Sequence, residues 1–540
     1  MGDIPENNQM KKLTIGLLAF IGYILPSAAQ DVVKGYIFED TNGNAKKERR
    51  ESGIANVSVT NGIDVTTTND KGYYELPLLQ DMIVSVIKPS GYAVPLNEEN
   101  QPLFYYIHKP KGSPENKYGG VAPTGKLPKY VNFPLNKQDE NSNFNVLLFG
   151  DPQADDMANA MYFEKAIVDE VAGVENVAFG ISLGDLGAKN QYDVYIHSLS
   201  KVGIPWYNVL GNHDVNDGAI DELTDETYEK YFGPANYAFN YANAHFIMLD
   251  DVIFPDPNGK RSYVGGFRED ILTFVKNDLA FVPKDKLIVI GFHIPIYEFE
   301  PGPDQFREGD VQKLFNLLKG YNYTLSVSGH THSQNHHFFT PEEGWVNKGI
   351  HHQYNPGATS GSVYNGPEDV YGTPASLMRD GTPKGYAYLA ITNNTYTYEY
   401  KASGSPISHK FSVHIPKIVP QTKKYRGEIV VNFFQGSPRD SVFYRVDDGA
   451  WKVMDKEFRS DKFLLDIEYE WDHAEKLPWG IRPSTPLPSS HIWASRMPSK
   501  LPLGKHTLEV KAVDWLGRTY ISEKKEFTIV PDHNYIVNKK

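Results

Sequence analysis

Hydrophobic positions along the 540-residue chain change their period twice. From residue 31, "VVKGYIFEDTNGNAKKERRESGIANVSVTNGIDVTTTNDKGYYELPL" alternates apolar and polar residues in short runs broken by Asn-Gly and Asp-Lys-Gly. A period of two with frequent turns is the pattern of half-buried strands, and it predicts a small β-sandwich over residues 31–125. The following "GSPENKYGGVAPTGKLPKY", rich in Gly, Pro and Lys, reads as a linker. From Asn143 the apolar runs become continuous, as in strands buried on both faces: "FNVLLFG", "NVAFGISLG", "IPWYNVLG", "HFIMLD", "LIVIGFH" and "TLSVSGH". Helical periods separate them. "DDMANAMYFEKAIVDEVAGV" sets Met157, Met161 and Val168 along one face, and "EGDVQKLFNLLKG" spaces Val311, Leu314, Phe315 and Leu318 at i, i+3, i+4 and i+7. This alternation predicts an α/β domain over 141–405. Period-two strands return in "SVFYRVDDGAWKVM" and "GKHTLEVKAVDWLGRTYISEKKEFTIV". They predict a second β-sandwich over 406–540, interrupted by the proline-rich "LPWGIRPSTPLPSSHIW".

The amino end has a different pattern. Lys11 and Lys12 precede "LTIGLLAFIGYIL" and then "PSAAQ", the layout of a signal peptide over residues 1–30 cleaved near Ala28 or Ala29. The apolar run is shorter than the ~20 residues of a membrane span. Cysteine is absent from the chain, so no lipid-bearing cysteine can follow the cleavage site. The expectation is an exported protein, periplasmic, cell-surface or secreted, with no stable membrane span.

The lack of cysteine also removes disulfides, thiolate nucleophiles and zinc–thiolate sites. A formal charge of −13 argues against a nucleic-acid partner, which calls for a surplus of Lys and Arg. An anionic substrate would need local cations to draw it in.

Such cations have an obvious place. Ligands of open α/β sheets collect at the carboxyl ends of strands. Here those ends read "FGDPQ", "LGDLG", "LGNHD", "GFHIP" and "SGHTH", supplying Asp151, Gln153, Asp185, Asn212, His213, Asp214, His293, His330 and His332. One such residue would be an ordinary turn former or cap. Polar groups at five strand ends of one domain point instead to a shared site. Carboxylate, amide oxygen and imidazole suit Mn, Fe, Zn or Ni. The set is large enough for two ions if a carboxylate bridges them, and paired ions ~3.5–4 Å apart clamp an in-line displacement at phosphorus.

D-x-Q, G-D-L-G, G-N-H-D, G-F-H and G-H-T-H, in this order over residues 144–335, resemble the calcineurin-like metallophosphoesterases. The flanking sandwiches resemble an exported bacterial branch with N- and C-terminal accessory domains. The resemblance implies a four-layer αββα core of two mixed sheets flanked by helices, an α/β fold set between two small all-β domains. It implies one ion on Asp151, Gln153 and His332 and another on Asn212, His293 and His330, with Asp185 bridging. Mn, Fe or Zn are the expected metals. His213, held by Asp214, would stabilise or protonate the departing oxygen. Gln153 stands where most members have histidine. Its amide oxygen can still ligate, but it is neutral and a poorer donor than imidazole.

The implied activity is hydrolysis of a phosphate mono- or diester by metal-activated water attacking phosphorus, on a phosphorylated small molecule, lipid or glycan. The competing reading is an inert exported binding or scaffold protein on the same fold. In "GIHHQYNPGATSGSVYNG", His351, His352, Tyr354 and Tyr364 are candidate substrate contacts, and Arg261, Arg268 and Arg379 are candidate phosphate clamps. In "DTNGNAKKERRE", Asp40, Asn42, Asn44, Glu48 and Glu51 match positions 1, 3, 5, 9 and 12 of a calcium loop, although Ala45 replaces its turn glycine. Calcium there would be structural, and the plain alternative is a polar β-turn.

Overall fold

The computed structural model describes residues 31–257, 262–299, 302 and 305–532, so the predicted signal segment lies outside the described residues. The described residues from Val32 onward form a single compact unit.

Its centre is two stacked sheets. Strands β1 (Asn143–Phe149), β2 (Val177–Ser182) and β3 (Trp206–Asn208) run parallel. β4 (Tyr237–Tyr241) and β5 (Ala244–Met248) form a hairpin, and β6 (Leu287–Gly291) and β7 (Thr324–Val327) continue from β5 in parallel. β8 (Gln334–Phe339) and β9 (His351–Pro356) close that sheet, and β10 (Gly385–Thr392) and β11 (Thr395–Ala402) extend the other. The strand orders are β3-β2-β1-β10-β11 and β4-β5-β6-β7-β9-β8.

Alternation within each strand builds the layers. Val146, Leu148, Phe179, Ile181, Phe246, Val289, Leu325 and Val327 fill the space between the sheets. Leu147 and Phe149 point outward to α1 (Met157–Phe163) and α2 (Tyr192–Ser200), while Ile288 and Ile290 meet α4 (Glu269–Leu279) and α5 (Glu308–Leu317). A further helix, α3 (Glu226–Phe232), follows β3. The result is the four-layer αββα order. Leu314, Phe315 and Leu318 pack inward as expected. Of the face expected in this segment, Val168 is buried but Met157 and Met161 are exposed, and Ala160, Phe163, Ala166 and Ile167 are buried beside Val168. A π-helical turn over Glu164–Val168 carries the helix forward at a changed period, so a 3.6-residue count through it drifts.

The N-terminal sandwich has two four-stranded sheets and extends past residue 125, because Phe133–Lys137 pairs with Val32–Glu39. The expected linker is a packed strap: Gly119 O accepts from Thr227 Oγ1 (2.7 Å) in α3. The C-terminal sandwich carries one helix, α6 (Lys462–His473).

Candidate metal centre

The loops leaving β1, β2, β3, β6 and β7 meet at one end of the sheets, and they do so through strained backbone. Asp151, Gln153, Asp185, His330 and His332 all have φ between 43° and 76°. Non-glycine residues there cost of order 1–3 kcal/mol each and cluster at functional sites. Glycines make the close approach of the loops feasible. A Cβ on Gly184 would lie 2.3 Å from His293 Nδ1, and one on Gly211 would lie 2.4 Å from Asp185 Oδ1.

Asp185, His293 and His330 bring one ligand atom each within 4.8 Å of one another. Asn212 Oδ1 lies 3.0 Å from both His293 Nε2 and His330 Nδ1. His293 tests whether this set suits a cation. Its Nδ1 donates to Leu183 O (2.7 Å), which leaves Nε2 facing two acceptors, Asp185 Oδ1 at 3.2 Å and Asn212 Oδ1. Facing two oxygens, Nε2 must carry positive charge, as a proton or as a metal ion in the proton's place. The same demand shows in the imidazole's proton affinity: burial pulls it down, but the Asp185 carboxylate outweighs that and raises the His293 pKa to about 10. The donor set therefore fits a metal ion.

The neighbouring group is assembled as well. His332 Nδ1 bonds Gly361 O, leaving Nε2 3.6 Å from Asp151 Oδ1. Asp151 accepts the His330 N–H at both oxygens, at 2.9 and 3.0 Å. Gln153 stands in the site with its amide nitrogen 3.3 Å from His332 Nε2 and 3.4 Å from Asp185 Oδ2. Turning the amide over would present its oxygen as a ligand.

His213 lies beside this cluster, its side chain 55% exposed and its Nε2 3.9 Å from Asp185 Oδ2. Its backbone is pinned: His213 N–H donates to Asp185 Oδ1 (2.9 Å) and Lys189 Nζ donates to His213 O (2.8 Å). Asp214 does not hold the imidazole. It is fully buried and accepts from Gly211 N (2.8 Å), Leu186 N and Tyr192 Oη (2.8 Å), so it locks the loop. Burial, with Asp185 nearby, raises its pKa to about 6.

Other expected contacts are corrected. His351 and His352 are not in a loop but in β9, fully buried, with ring nitrogens bonded to Thr324, Ser326, His336 and Tyr396. Tyr354 is buried beside them, and Tyr364 donates its hydroxyl to Pro152 O (2.8 Å), bracing the first ligand loop from behind. Arg268 is bound to Asp221, Asp250 and Asp270, and Arg261 lies outside the described residues. In the N-terminal loop, Asp40 accepts from Gly43 N and Ala45 N (both 2.8 Å), Asn42 and Asn44 donate to Glu48, and Glu51 accepts from Thr41 N and Glu48 N. Those oxygens are engaged in the turn itself.

Sequence reading missed Asp251 and Asn355. Asp251 accepts from His293 N (3.1 Å) and Ile294 N (2.9 Å), and Asn355 Nδ2 donates to Gly329 O and Thr331 Oγ1 (3.0 Å). The acid pair ending "HFIMLD" and its next residue was the available signal for Asp251. Asn355, mid-strand, offered none.

Comparison with known proteins agrees with this geometry. Residues 144–334 match the family model described as calcineurin-like phosphoesterase. Residues 40–119 and 353–520 match the models for the N terminal and C terminal of calcineurin-like phosphoesterase. Tartrate-resistant acid phosphatase type 5 from Oryctolagus cuniculus is 26% identical over 260 residues, 44% of this chain and 74% of that protein. The Homo sapiens protein of the same name is 27% identical over 242 residues, 41% of this chain and 69% of its own length. Among solved structures, a purple acid phosphatase from yellow lupin (Lupinus luteus) seeds aligns with TM-score 0.36 and 14% identity, over 69% of this chain and 66% of that one. A dimetal phosphatase from Danio rerio aligns with TM-score 0.31 and 15% identity, over 48% and 99%. With the three models running through both sandwiches and the core, the chain belongs to the calcineurin-like phosphoesterases, metal-dependent hydrolases of phosphate esters.

Proposed function

We propose that this chain is an exported phosphatase or phosphodiesterase with a dinuclear centre held by Asp151, Gln153, Asp185, Asn212, His293, His330 and His332. The observation that carries it is the meeting of Asp185, His293 and His330 within 4.8 Å, with Asn212 Oδ1 3.0 Å from both imidazoles. Two ions of the Mn, Fe or Zn type, when bound, supply Lewis-acid charge and lower the pKa of water towards ~7. The chain's own residues do the rest. Asp185 lies between the two ligand groups and orients His293 on one side and Gln153 on the other. His213 keeps an exposed imidazole on a pinned backbone, placed to give a proton to the departing ester oxygen. Asp214, Asp251 and Asn355 hold the loops and do not meet substrate. Export is supported by the charged, apolar and small-residue order of residues 11–29.

The test is hydrolysis of p-nitrophenyl phosphate and its bis ester by chelator-treated protein, before and after addition of Mn, Fe or Zn. Activity should depend on the metal and vanish in Asp185→Asn, with the ratio of the two esters ranking monoester against diester. Equal turnover with and without metal would rule the proposal out.

A further inference from the structure

Beside the metal centre, a cleft of about 290 Å³ runs from His330 and Thr331 to the start of the C-terminal strand Pro488–Arg496. Its far wall is the end of the proline-rich excursion, brought there by backbone pairing: Leu487 N donates to Arg379 O (2.9 Å), and Arg379 N donates to His332 O (3.4 Å). Arg379 thus sits between a ligand loop and the C-terminal sandwich.

The cleft's polar lining divides into engaged and free groups. Asp380 is saturated, accepting from Gln334 N (2.7 Å), His491 Nε2 (2.9 Å) and Thr382 N (2.8 Å). Glu298 accepts from Gly302 N (3.1 Å). By contrast, the Arg379 guanidinium, the Asn335 amide and the Ser490 hydroxyl have no hydrogen-bond or ion-pair partner among the described residues. Arg379 is half-buried, and the two carboxylates named in the cleft wall, Glu298 and Asp380, are bonded elsewhere. Phe299, set edge-on against Phe458 of the C-terminal sandwich at 4.1 Å, supplies an aromatic face to the same cleft.

We propose that this cleft binds the alcohol portion of the ester. Arg379 grips a second anionic group on it, Asn335 and Ser490 meet its hydroxyls, and the substrate class is a phosphorylated sugar carrying a further negative charge. The volume lies at the low end of the ~300–1,000 Å³ of ligand sites, suited to one sugar ring. Five guanidinium donors match phosphate or carboxylate oxygens. This rests on the phosphoesterase reading, and it gives the C-terminal sandwich a part in selecting substrate.

The test uses metal-loaded full-length protein and two measurements. The first is calorimetric titration with the bisphosphonate analogue of fructose 1,6-bisphosphate, which cannot be hydrolysed at its phosphorus–carbon bonds. Arg379→Ala should weaken binding about 10- to 100-fold, the range of one charge-assisted contact, and Arg379→Lys should restore part of it. The second is turnover: in Arg379→Ala, KM for fructose 1,6-bisphosphate should rise by a similar factor, with p-nitrophenyl phosphate changed less than about 3-fold on the same basis. Wild-type-like titration of Arg379→Ala, no binding by the parent, or equal losses on both esters would overturn the proposal. A parent that binds the analogue through Arg379 but hydrolyses neither ester would instead overturn the phosphoesterase reading.

Discussion

His213 and Asp185 separate the two tasks of the centre. Asp185 is buried between the ligand groups, where His293 first and His213 second hold its carboxyl well below the usual carboxylate range against the pull of burial. It remains an anion over the working pH range. The His213 ring approaches it only to 3.9 Å and faces solvent. His213→Asn is therefore expected to keep its metal, by elemental analysis, while kcat falls by ~10²–10⁴ with a poor leaving group, the usual scale of general acid catalysis. A p-nitrophenolate leaving group needs little protonation, so the loss should shrink with that ester. Full activity on both would remove His213 from the mechanism. At this scale the site was largely legible, because Asp, Asn and His straight after apolar runs state their chemistry in residue type. Arg379 was legible only as one of three arginines. What distinguishes it, the lack of a partner among the described residues, exists only in the folded chain. The role expected for Asp214 failed for a related reason: adjacency in G-N-H-D does not say which neighbour a carboxylate turns to, and it turned to the loop amides and Tyr192.

Strand and loop together decide whether those residues meet. Gly211 lets the loop after β3 lie against Asp185, and a methyl group there would stand 2.2 Å from Asp185 N. Gly211→Ala should weaken metal binding about 10- to 100-fold, as loss of a supporting contact does, measured by competition with a chelating dye. The β8–β9 pair makes a different prediction. His351 is neutral in the fold: burial, with His337 nearby, pushes its pKa down to about 3, and it bonds the Thr324 and Ser326 hydroxyls. Unfolded histidine binds a proton below ~6.5. Acid therefore favours the unfolded chain, and His351's contribution is intact above pH 6.5 and lost as pH falls towards 3, at about 1.4 kcal/mol per pH unit. His351→Gln should flatten the decline of unfolding free energy between pH 6 and 4 by that slope, read from urea titrations. An unchanged slope would mean the ring is protonated in the fold. The histidine pair in β9 looked like substrate contacts because a glycine-rich run follows it. The pairing of β9 with β7 and β8 that buries it is long-range and leaves no local trace.

Across the whole molecule, the flanking sandwiches are joined to the core by buried polar groups rather than by tethers. His491 of the C-terminal domain bonds Asp380 and Asn432. On the other side, Lys109 reaches out of the N-terminal sandwich to Glu226 and Glu229 of α3, with side chains 7%, 4% and 12% exposed. The sequence shows three domains by their changes of period, but not this joining, because a Lys in the polar stretch "HKPKGSP" looks solvated. The consequence can be measured. In Lys109→Met, two carboxylates lose the cation they share and remain buried, which should cost about 3–5 kcal/mol of unfolding free energy. Burial first, and then Asp225, already raise the Glu229 pKa well above the ordinary value despite Lys109, so without the ammonium its protonated form is favoured further. A carboxyl whose folded pKa exceeds its unfolded ~4.3 is stabilising when protonated, and that stability is lost as pH rises through the folded pKa. The Lys109→Met penalty should therefore be larger at pH 8 than at pH 5. The triple variant Lys109→Met, Glu226→Gln, Glu229→Gln should recover most of it at pH 8, because no uncompensated charge remains. A penalty that neither acid nor the triple variant relieves would show that Lys109 acts through its packed stem, and that charge does not join the N-terminal sandwich to the catalytic core.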